Sequence, residues 1–429
     1  MPSESVIDWR RHKAVVFESD DGGNCATYPD MATLARLPEH PAVAAEMAER
    51  RSIWLADSLE DTAQMTALFE VLERHQGADG RHPVFTAFYL TRNPDYDAIR
   101  DSGFSEYHDI PIDRGWSQGW TSEGAIPMAR EGMRRGIWFP EFHARLHHSN
   151  AGEWLAILRG PHEETDVYRF LFDNHMYYFN RHLPEYDGMN IREQLAWLRP
   201  AAEAFARTFD VKATCAVNSD AIPGTEEVYA LLDIRVRCLR SVVLNNGKQV
   251  RPYGTHKPDG TMDGTSLMGA YNRFVDLVYL NRNAFFETSA GGAGDIDESY
   301  RAIVNCWQRN EAAVTSTHRV HYCTLHADLR EAGLAHLDEL LGRLNKTHPD
   351  VVYLTSWEVA QLCRLGTSVA KFAHRCVLRN YTDQTQRVVT GDDLAKPVFN
   401  LRTGATIDPV NEQAGTYVLP PGDYLVGAP

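Results

Sequence analysis

Short apolar runs alternate with amphipathic stretches along most of the chain. The runs are rich in Val, Phe, Ile and Leu, which is typical of strands buried on both faces of a parallel sheet. Strands are predicted over residues 14–17, 83–90, 136–142, 211–217 and 351–355. Elsewhere apolar residues recur with helical spacing, and helices are predicted over residues 62–75, 127–135, 191–209, 300–307 and 334–344. This alternation predicts an α/β fold.

The pattern changes beyond residue 365. From residue 370 onward we predict short strands separated by Asn, Asp, Gly and Pro turns. These strands are placed over residues 373–378, 387–389, 397–401, 416–419 and 424–426. The sequence therefore predicts two domains: a large α/β domain over residues 1–365 and a small all-β, sandwich-like domain over residues 366–429.

Composition and charge exclude some partners. The chain has 429 residues and a formal net charge of −15, so nucleic acid and anionic membrane surfaces would repel it. We find neither a secretory signal nor an apolar run of membrane-spanning length, which predicts a cytoplasmic protein without a membrane partner. The seven cysteines include no C-x-x-C pair, so buried thiols are expected rather than a zinc knuckle or a disulfide framework.

Polar residues with metal-binding chemistry follow three apolar runs. Asp20 and Asp21 are adjacent, so their side chains leave the backbone in different directions; one can bind a cation while the other takes a proton from metal-bound water. His143 and His147 are four residues apart, a spacing that places two imidazoles on one side of a helical turn. His318 follows a late apolar run. Together these residues predict a divalent metal site for hydrolysis.

Each motif also has a plainer interpretation. An Asp-Asp-Gly-Gly segment is commonly a turn, a histidine pair at this spacing can arise by chance, and a lone histidine is often a hydrogen-bonded core residue. Glu141 and His148 flank the histidine pair and are alternative ligands. The order of the three motifs along the chain favours the metal site.

That order resembles the polysaccharide deacetylase superfamily, also described as NodB-homology or carbohydrate esterase family 4. Its members have an Asp-Asp-Gly first motif, a His-x-x-x-His second motif and a late single histidine. The resemblance covers roughly residues 10–365 and is nearest to a bacterial branch of the superfamily. The matching segments here are Ser19-Asp20-Asp21, Pro140-Glu141-Phe142-His143 and His318-Arg319-Val320. The resemblance implies a deformed (β/α)7 barrel.

The resemblance also implies roles for individual residues. Asp20 would be the general base, and Asp21, His143 and His147 would be the ligands of a divalent metal. His318 would be the general acid that protonates the leaving group. Zn²⁺ is expected, with Ni²⁺, Co²⁺ or Mn²⁺ as alternatives. The implied reaction removes an acetyl group from an oligo- or polysaccharide through direct attack of metal-bound water.

The family's arginine-proline motif, which orients the base, has no clean match in this sequence. Arg251 and Asn218 are the candidates for that role, and Glu287 is the candidate that would orient His318. The residues that we group as candidate substrate contacts are Arg145, Asn218, Arg251, Glu287 and Arg319.

Other functions stay open at this point. The same metal barrel could cleave another C–N bond or a glycosidic bond, or the protein could bind glycans without catalysis through its C-terminal β-module. Trp116 and Trp120 could line a glycan cleft, because sugar rings stack on aromatic faces; core packing is the alternative. Assembly into a homo-oligomer is also left open.

Overall fold

The computed structural model describes residues 7–49, 53–147, 149–177, 182–218, 221–239, 243–245, 248–250, 268–287, 296–373, 375–391, 396–411 and 415–427. Helices α1 to α12 span Met31–Arg36, Pro41–Glu49, Thr62–Glu73, Tyr96–Asp101, Ala125–Arg135, Ala151–Arg159, Thr165–Asp173, Ile191–Phe209, Thr225–Leu231, Ile296–Gln308, Ala327–Thr347 and Ser356–Leu365. Strands β1 to β21 span Ala14–Gly22, Phe85–Tyr89, Arg92–Pro94, Asp109–Pro111, Trp138–Phe142, Cys215–Val217, Val236–Leu239, Val243–Asn245, Lys248–Val250, Tyr271–Asn272, Leu277–Asn281, Ala284–Phe285, Ala313–His318, Val352–Tyr353, Thr367–Phe372, Arg375–Asn380, Gln386–Val389, Val398–Asn400, Thr406–Ile407, Thr416–Leu419 and Gly422–Val426.

A ten-stranded, mostly parallel sheet forms the centre of the fold. Its strand order is β10-β11-β7-β6-β5-β2-β1-β13-β12, and β14 pairs with the first residues of β1. Among the pairings described in this sheet, the one between β10 and β11 is antiparallel and the others are parallel. A mostly parallel sheet accompanied by helices confirms the predicted α/β class.

The two ends of this strand order are neighbours in sequence. β11 pairs with β7 and β12 pairs with β13, yet only Arg282 and Asn283 separate β11 from β12. The backbone N–H of Arg282 donates to Leu239 O at 2.7 Å, and that of Asn283 donates to Val314 O at 3.1 Å. The chain therefore passes from one end of the strand order to the other across these two residues.

Alternate residues of β1 face different layers of the core. Val15 and Phe17 belong to a cluster with buried residues of α3, α5, α8, α10 and α11. Val16 belongs to a second cluster, formed mainly by strand residues and by α12. Because side chains alternate along a strand, Glu18 and Asp20 are directed to the same side as Val16. The carboxylates of Glu18 and Asp20 thus lie on the side of the sheet that faces the second cluster.

Most of the predicted elements are present. Strands β1, β2, β5, β6 and β14 and helices α3, α5, α8, α10 and α11 overlap the stretches predicted from the apolar pattern. Helix α8 begins where predicted because Asn190 caps it: the Asn190 side chain accepts from the backbone N–H of Glu193, and the Glu193 side chain accepts from that of Asn190. The prediction missed the short helices α1, α2, α4, α6 and α7, which pack together in a separate cluster around Trp154.

The C-terminal part is built from strands. Helix α12 ends at Leu365, and the described residues from 367 to 427 contain strands β15 to β21 and no helix. Strands β15 and β19 were not predicted; the other five overlap the predicted stretches. Arg379, on β16, pairs with Asp79 and Glu358 outside this segment and with Asp423 inside it. The segment is thus joined to the rest of the chain by buried ion pairs, and the exact domain division stays a prediction.

All seven cysteines are buried, free thiols, as expected. None of the helices in the described residues has both the length and the apolar character that crossing a membrane requires.

Candidate metal centre and catalytic residues

Strand β1 carries both aspartates of the site. The sequence predicted a turn over residues 20–23, but the strand continues to Gly22. Its pairing with β2 shifts register between Ser19 and Gly22, which is the signature of a β-bulge. Asp21 lies within this bulge with a φ of 74°, in the left-handed region that Asp tolerates better than most residues. The bulge re-aims the two carboxylates while both stay at the end of a buried strand.

Strand β5 delivers His143, and a tight turn brings the chain back to His147. The backbone N–H of His143 extends the strand pairing by donating to Tyr89 O at 3.0 Å. The segment between the two histidines is not helical, contrary to the prediction. Ala144 has a φ of 75°, a conformation that costs a non-glycine residue about 1–2 kcal/mol. The surrounding structure must therefore hold this turn in place.

Glu185 is the residue that holds the turn. Its buried carboxylate accepts hydrogen bonds from the backbone N–H groups of Arg145 at 3.1 Å and Leu146 at 2.8 Å. It also accepts from the indole N–H of Trp197 at 2.7 Å. Bonds from several donors to one ionised acceptor fix the backbone more firmly than neutral pairs do. Glu185 was not predicted from the sequence.

Asp21, His143 and His147 converge at one place. Asp21 Oδ1 lies 3.6 Å from His143 Nε2 and 3.5 Å from His147 Nδ1, and one ligand atom of each residue lies within 4.8 Å of the others. The His143 and His147 ring centroids are 4.5 Å apart. These are the three residues that the motif resemblance implies as metal ligands; the structure brings them together, and their binding of a metal stays a prediction.

Their separations fit a shared cation better than a hydrogen bond. N–H···O bonds are mostly 2.7–3.2 Å long, whereas ligands about 2.0–2.1 Å from a tetrahedral Zn²⁺ stand about 3.3 Å apart. His143 Nδ1 faces Val217 O at 3.2 Å; a proton on Nδ1 leaves Nε2, the nitrogen that faces Asp21, with a lone pair for the metal. One carboxylate and two neutral imidazoles are a suitable donor set for Zn²⁺ and for several other divalent metals.

Arg282 grips Asp20. Its guanidinium makes two bonds to the Asp20 carboxylate, both 2.6 Å long, and a third to Glu18 at 2.5 Å. Burial raises the pKa of Asp20, but the attraction of Arg282 outweighs burial and holds this pKa well below its ordinary value. Ser356 Oγ donates to the second Glu18 oxygen at 2.6 Å. Asp20 is therefore ionised and fixed in orientation.

His318 lies on the far side of Asp20 from the histidine pair. Its Nε2 is 3.7 Å from Asp20 Oδ2, and its Nδ1 is 2.9 Å from Glu287 Oε1. Burial lowers the pKa of His318, but Glu287, helped by Asp20 and Asp21, outweighs burial and raises the pKa above its ordinary value. The imidazolium form is thus stabilised here relative to a free histidine. Glu287 is in contact with His318, as the sequence suggested.

The other candidate substrate contacts are engaged elsewhere. The Arg145 side chain pairs with Asp109 at 2.8 Å and stacks over Trp197 at 4.1 Å. Asn218 donates to the Tyr186 hydroxyl at 2.5 Å. Arg251 and the alternative ligand His148 lie outside the described residues. For Arg145 and Asn218, contact with substrate stays a prediction that this geometry does not support.

Glu141 and the two tryptophans have structural partners. The Glu141 carboxylate accepts from the backbone N–H of Thr214 at 2.7 Å and of Cys215 at 2.8 Å. The Trp120 indole donates to His175 O at 2.8 Å, and the ring is buried. Trp116 is partly buried and packs against the small cluster that Trp120 forms with Cys25 and Leu59. Core packing, the alternative to a glycan cleft, therefore accounts for both tryptophans.

Arg319 positions the chain that follows β1. It is buried and pairs with Asp57 at 2.8 Å and with Glu60 at 2.8 Å. The other Glu60 oxygen accepts from the backbone N–H of Gly23 at 2.9 Å. Gly23 has a φ of 69°, and a Cβ there would lie 2.9 Å from Leu90 O, so glycine is required. Arg319 thus supports the aspartate strand through Glu60.

Comparisons with known proteins give distant likenesses. No family model and no curated protein matches the chain. In structure the chain is similar to a Mycobacterium smegmatis protein assigned to the polysaccharide deacetylases, with 15% identity over 82% of this chain and 90% of that chain and a TM-score of 0.37. It is also similar to the peptidoglycan deacetylase PdaC from Bacillus subtilis, with 10% identity over 82% of this chain and 92% of that chain and a TM-score of 0.30.

A third solved structure has a different activity. The 4-alpha-glucanotransferase from Thermococcus litoralis matches with 7% identity over 81% of this chain and 40% of that chain, with a TM-score of 0.39. Polysaccharide and peptidoglycan deacetylases are thus among the solved structures similar to this chain. The activity proposed below is argued from the side chains of the site.

Proposed function

We propose that the protein is a metal-dependent hydrolase that removes an acyl group, acetyl in the first instance, from an oligo- or polysaccharide. One observation carries the proposal: Asp20 stands between the cluster of three candidate ligands and His318. Its Oδ2 is 3.9 Å from His143 Nε2 on one side and 3.7 Å from His318 Nε2 on the other. A base between a metal site and an acid suits hydrolysis of an acyl bond.

Asp21, His143 and His147 are the residues that would hold the cation, with Zn²⁺ as the first choice. When bound, a cation here supplies Lewis-acid polarisation of a carbonyl oxygen and lowers the pKa of water in its coordination shell. Val217 O orients His143 through Nδ1, and Glu185 fixes the turn to His147. Such outer partners hold ligands in place before the cation arrives.

Asp20 is placed to accept a proton from the attacking water. Its pairing with Arg282 keeps the carboxylate ionised and prevents it from swinging towards the cation. In the glycosidase alternative, the acid of the carboxylate pair needs a raised pKa. The pKa of Asp20 is held low instead. Asp20 therefore fits the base and not the acid.

His318 is placed to give a proton to the departing amine or alcohol. Glu287 holds its Nδ1, so Nε2 is the nitrogen that faces the reacting groups. After the reaction, Asp20 holds the proton taken from the water and His318 has lost one to the leaving group. Solvent then removes the proton from Asp20 and returns one to His318. Acylated carbohydrate as the substrate class follows from the motif resemblance. Closure of the sheet into a deformed barrel is inferred from the passage of the chain across Arg282 and Asn283. A cytoplasmic location is part of the same proposal.

Acetate release from acetylated oligosaccharides tests the proposal. We expect release with Zn²⁺, loss of release after chelation, and a loss of about 100-fold or more in Asp20→Asn, because a positioned base contributes about 10²–10⁴-fold. Asp187→Asn, at an exposed aspartate, is the matched control and should keep full activity. Metal-independent release would refute the mechanism. Mass spectra that show shorter chains rather than acyl loss would refute the reaction, and glycan binding without turnover would favour a binding protein.

A further inference from the structure

A second group of metal-binding side chains lies on the other side of Asp20. Glu287 follows β12, His318 ends β13, and His321 closes the short 3-10 helix Arg319–His321. One ligand atom from each of Glu287, His318 and His321 lies within 4.8 Å of the others. β12 and β13 are paired in parallel, so both strand ends deliver their side chains to the same edge of the sheet.

The turn that carries His321 is held rigidly. The backbone N–H groups of Tyr322 and Cys323 donate to Arg319 O at 2.9 and 2.8 Å. Helix α11 packs directly on this turn: a Cβ on Gly333 would lie 1.8 Å from His321 O, so only glycine fits. The imidazole of His321 is 1% exposed. A ligand on such a turn is positioned before any cation binds.

We propose that Glu287, His318 and His321 form a second divalent-cation site whose occupation inhibits the enzyme. A carboxylate oxygen and two imidazole nitrogens are the same kind of donor set as the first site offers, and it suits Zn²⁺. The Glu287–His318 contact of 2.9 Å is a hydrogen-bond length, so a cation at this place would replace the proton between the two groups and move them slightly apart. The binding claim stands independently of the reaction; the inhibition claim rests on the proposed function.

Inhibition follows from the two nitrogens of His318. Nδ1 faces Glu287 and Nε2 faces Asp20. A cation that binds Nδ1 displaces the proton held between His318 and Glu287, and that proton goes to solvent. The imidazole then keeps one proton, on Nε2, and is no longer an imidazolium. A neutral imidazole is a far weaker acid than an imidazolium, so protonation of the leaving group fails.

The test is the number of Zn²⁺ ions bound per chain. Metal-free protein is titrated with Zn²⁺ and measured by calorimetry and by elemental analysis after dialysis. We expect two ions in the wild type and one in Asp21→Asn, which keeps the second group. His321→Gln should keep one tight ion and weaken the other by at least the ~10–100-fold that loss of an outer partner costs. The control is His162→Gln, at an exposed histidine, which should keep two.

Two results would overturn the second site. The first is a single bound ion per wild-type chain, and the second is two bound ions with unchanged affinities in His321→Gln. If His321→Gln does not fold, as judged by circular dichroism, Glu287→Gln takes its place with the same expectation.

Acetate release separates this inference from the proposed function. In the wild type it should rise up to one ion per chain and fall beyond it, while in His321→Gln the fall should be absent at the same Zn²⁺ concentrations. A fall of equal size in both proteins would overturn the inhibition. Two bound ions with no turnover at any metal level would overturn the proposed function while supporting the second site.

Discussion

Replacing Arg282 with Met is the most informative single perturbation of the site. The guanidinium makes three charged bonds, two to Asp20 and one to Glu18, and all three groups are buried. Met preserves the apolar stem but removes the charge. Two carboxylates on the same side of β1 would then be left without the cation that lies between them.

The expected loss of stability is large. Removing one partner of a buried ion pair costs about 3–5 kcal/mol, because the remaining charge is buried without compensation. Here one cation serves two carboxylates, so the upper part of that range is expected at neutral pH. The variant can limit the loss by protonating Asp20 or Glu18. That response makes the loss depend on pH.

The direction of the pH dependence can be worked out. In the wild type, Arg282 holds the pKa of Asp20 below its ordinary value. In Arg282→Met the guanidinium no longer opposes burial, which is the largest effect on this pKa, and His143 and His318 remain as smaller lowering effects; we therefore expect the pKa of Asp20 to lie above its value in the unfolded chain. The folded variant then binds more protons than the unfolded one, so its stability rises as the pH falls from about 7.5 towards 5. The gap between wild type and variant should therefore narrow.

Urea unfolding at pH 7.5 and 5, followed by tryptophan fluorescence, measures that gap. The double variant Arg282→Met/Asp20→Asn removes one uncompensated charge, so it should recover stability at pH 7.5 while staying inactive. Arg282→Lys keeps the charge without the paired donors and should lie between the wild type and Arg282→Met in activity. An equal stability loss at both pH values, unaffected by Asp20→Asn, would refute the reasoning.

Three further predictions follow from individual contacts. Glu287→Gln should lower the pKa of His318 and move the alkaline limb of kcat/KM to lower pH by about 1–2 units, compared with wild type carrying the same metal; an unmoved limb would exclude His318 as the acid. Glu185→Gln should weaken Zn²⁺ binding about 10–100-fold without changing the circular dichroism spectrum, and unchanged affinity would contradict its role. Arg379→Met should lower the free energy of unfolding by about 3–5 kcal/mol, because the fully buried guanidinium pairs with Asp423 and two other carboxylates; a loss below about 1 kcal/mol in urea unfolding would count against this.

The elements near the site could be predicted because their signals are local. An apolar run such as residues 14–17 identifies a buried strand by itself, and an amphipathic stretch such as residues 191–209 identifies a long helix with a capping box at its start. Helices α1, α2, α4, α6 and α7 are six to nine residues long. Over such lengths the helical period repeats too few times to stand out from its surroundings.

The meeting of the candidate ligands was predictable for a related reason. Asp21 lies among the last residues of β1 and His143 directly follows β5, and the ends of parallel strands meet at one edge of a sheet. The local geometry was not predictable: the β-bulge at Asp21 and the left-handed Ala144 depend on contacts with β2 and Glu185. Spacing alone suggested a helix between the histidines. Tertiary contacts select a tight turn instead.

The partner of Asp20 was missed because it is distant in sequence. Arg282 and Asp20 are 262 residues apart, and their meeting depends on the order of strands in the sheet. The sequence suggested Arg251, which precedes a proline, and Asn218 as the candidates for orienting the base. The signal that would have found Arg282 is its position: it directly follows the apolar strand Leu277–Asn281, the same rule that identified Asp20 and His143.

The position of Arg282 also separates two functions within the site. The stretch from β11 to Glu287 joins the two ends of the strand order and, through Arg282 and Glu287, holds the proposed base Asp20 and the proposed acid His318. The proposed ligands of the first cation site lie on β1, on the other side of Asp20, and on the turn after β5. Substitutions at Arg282 should therefore alter proton transfer while Asp21, His143 and His147 keep their affinity for Zn²⁺. This division of the chain predicts that the metal affinity and the pH profile of activity can be changed independently.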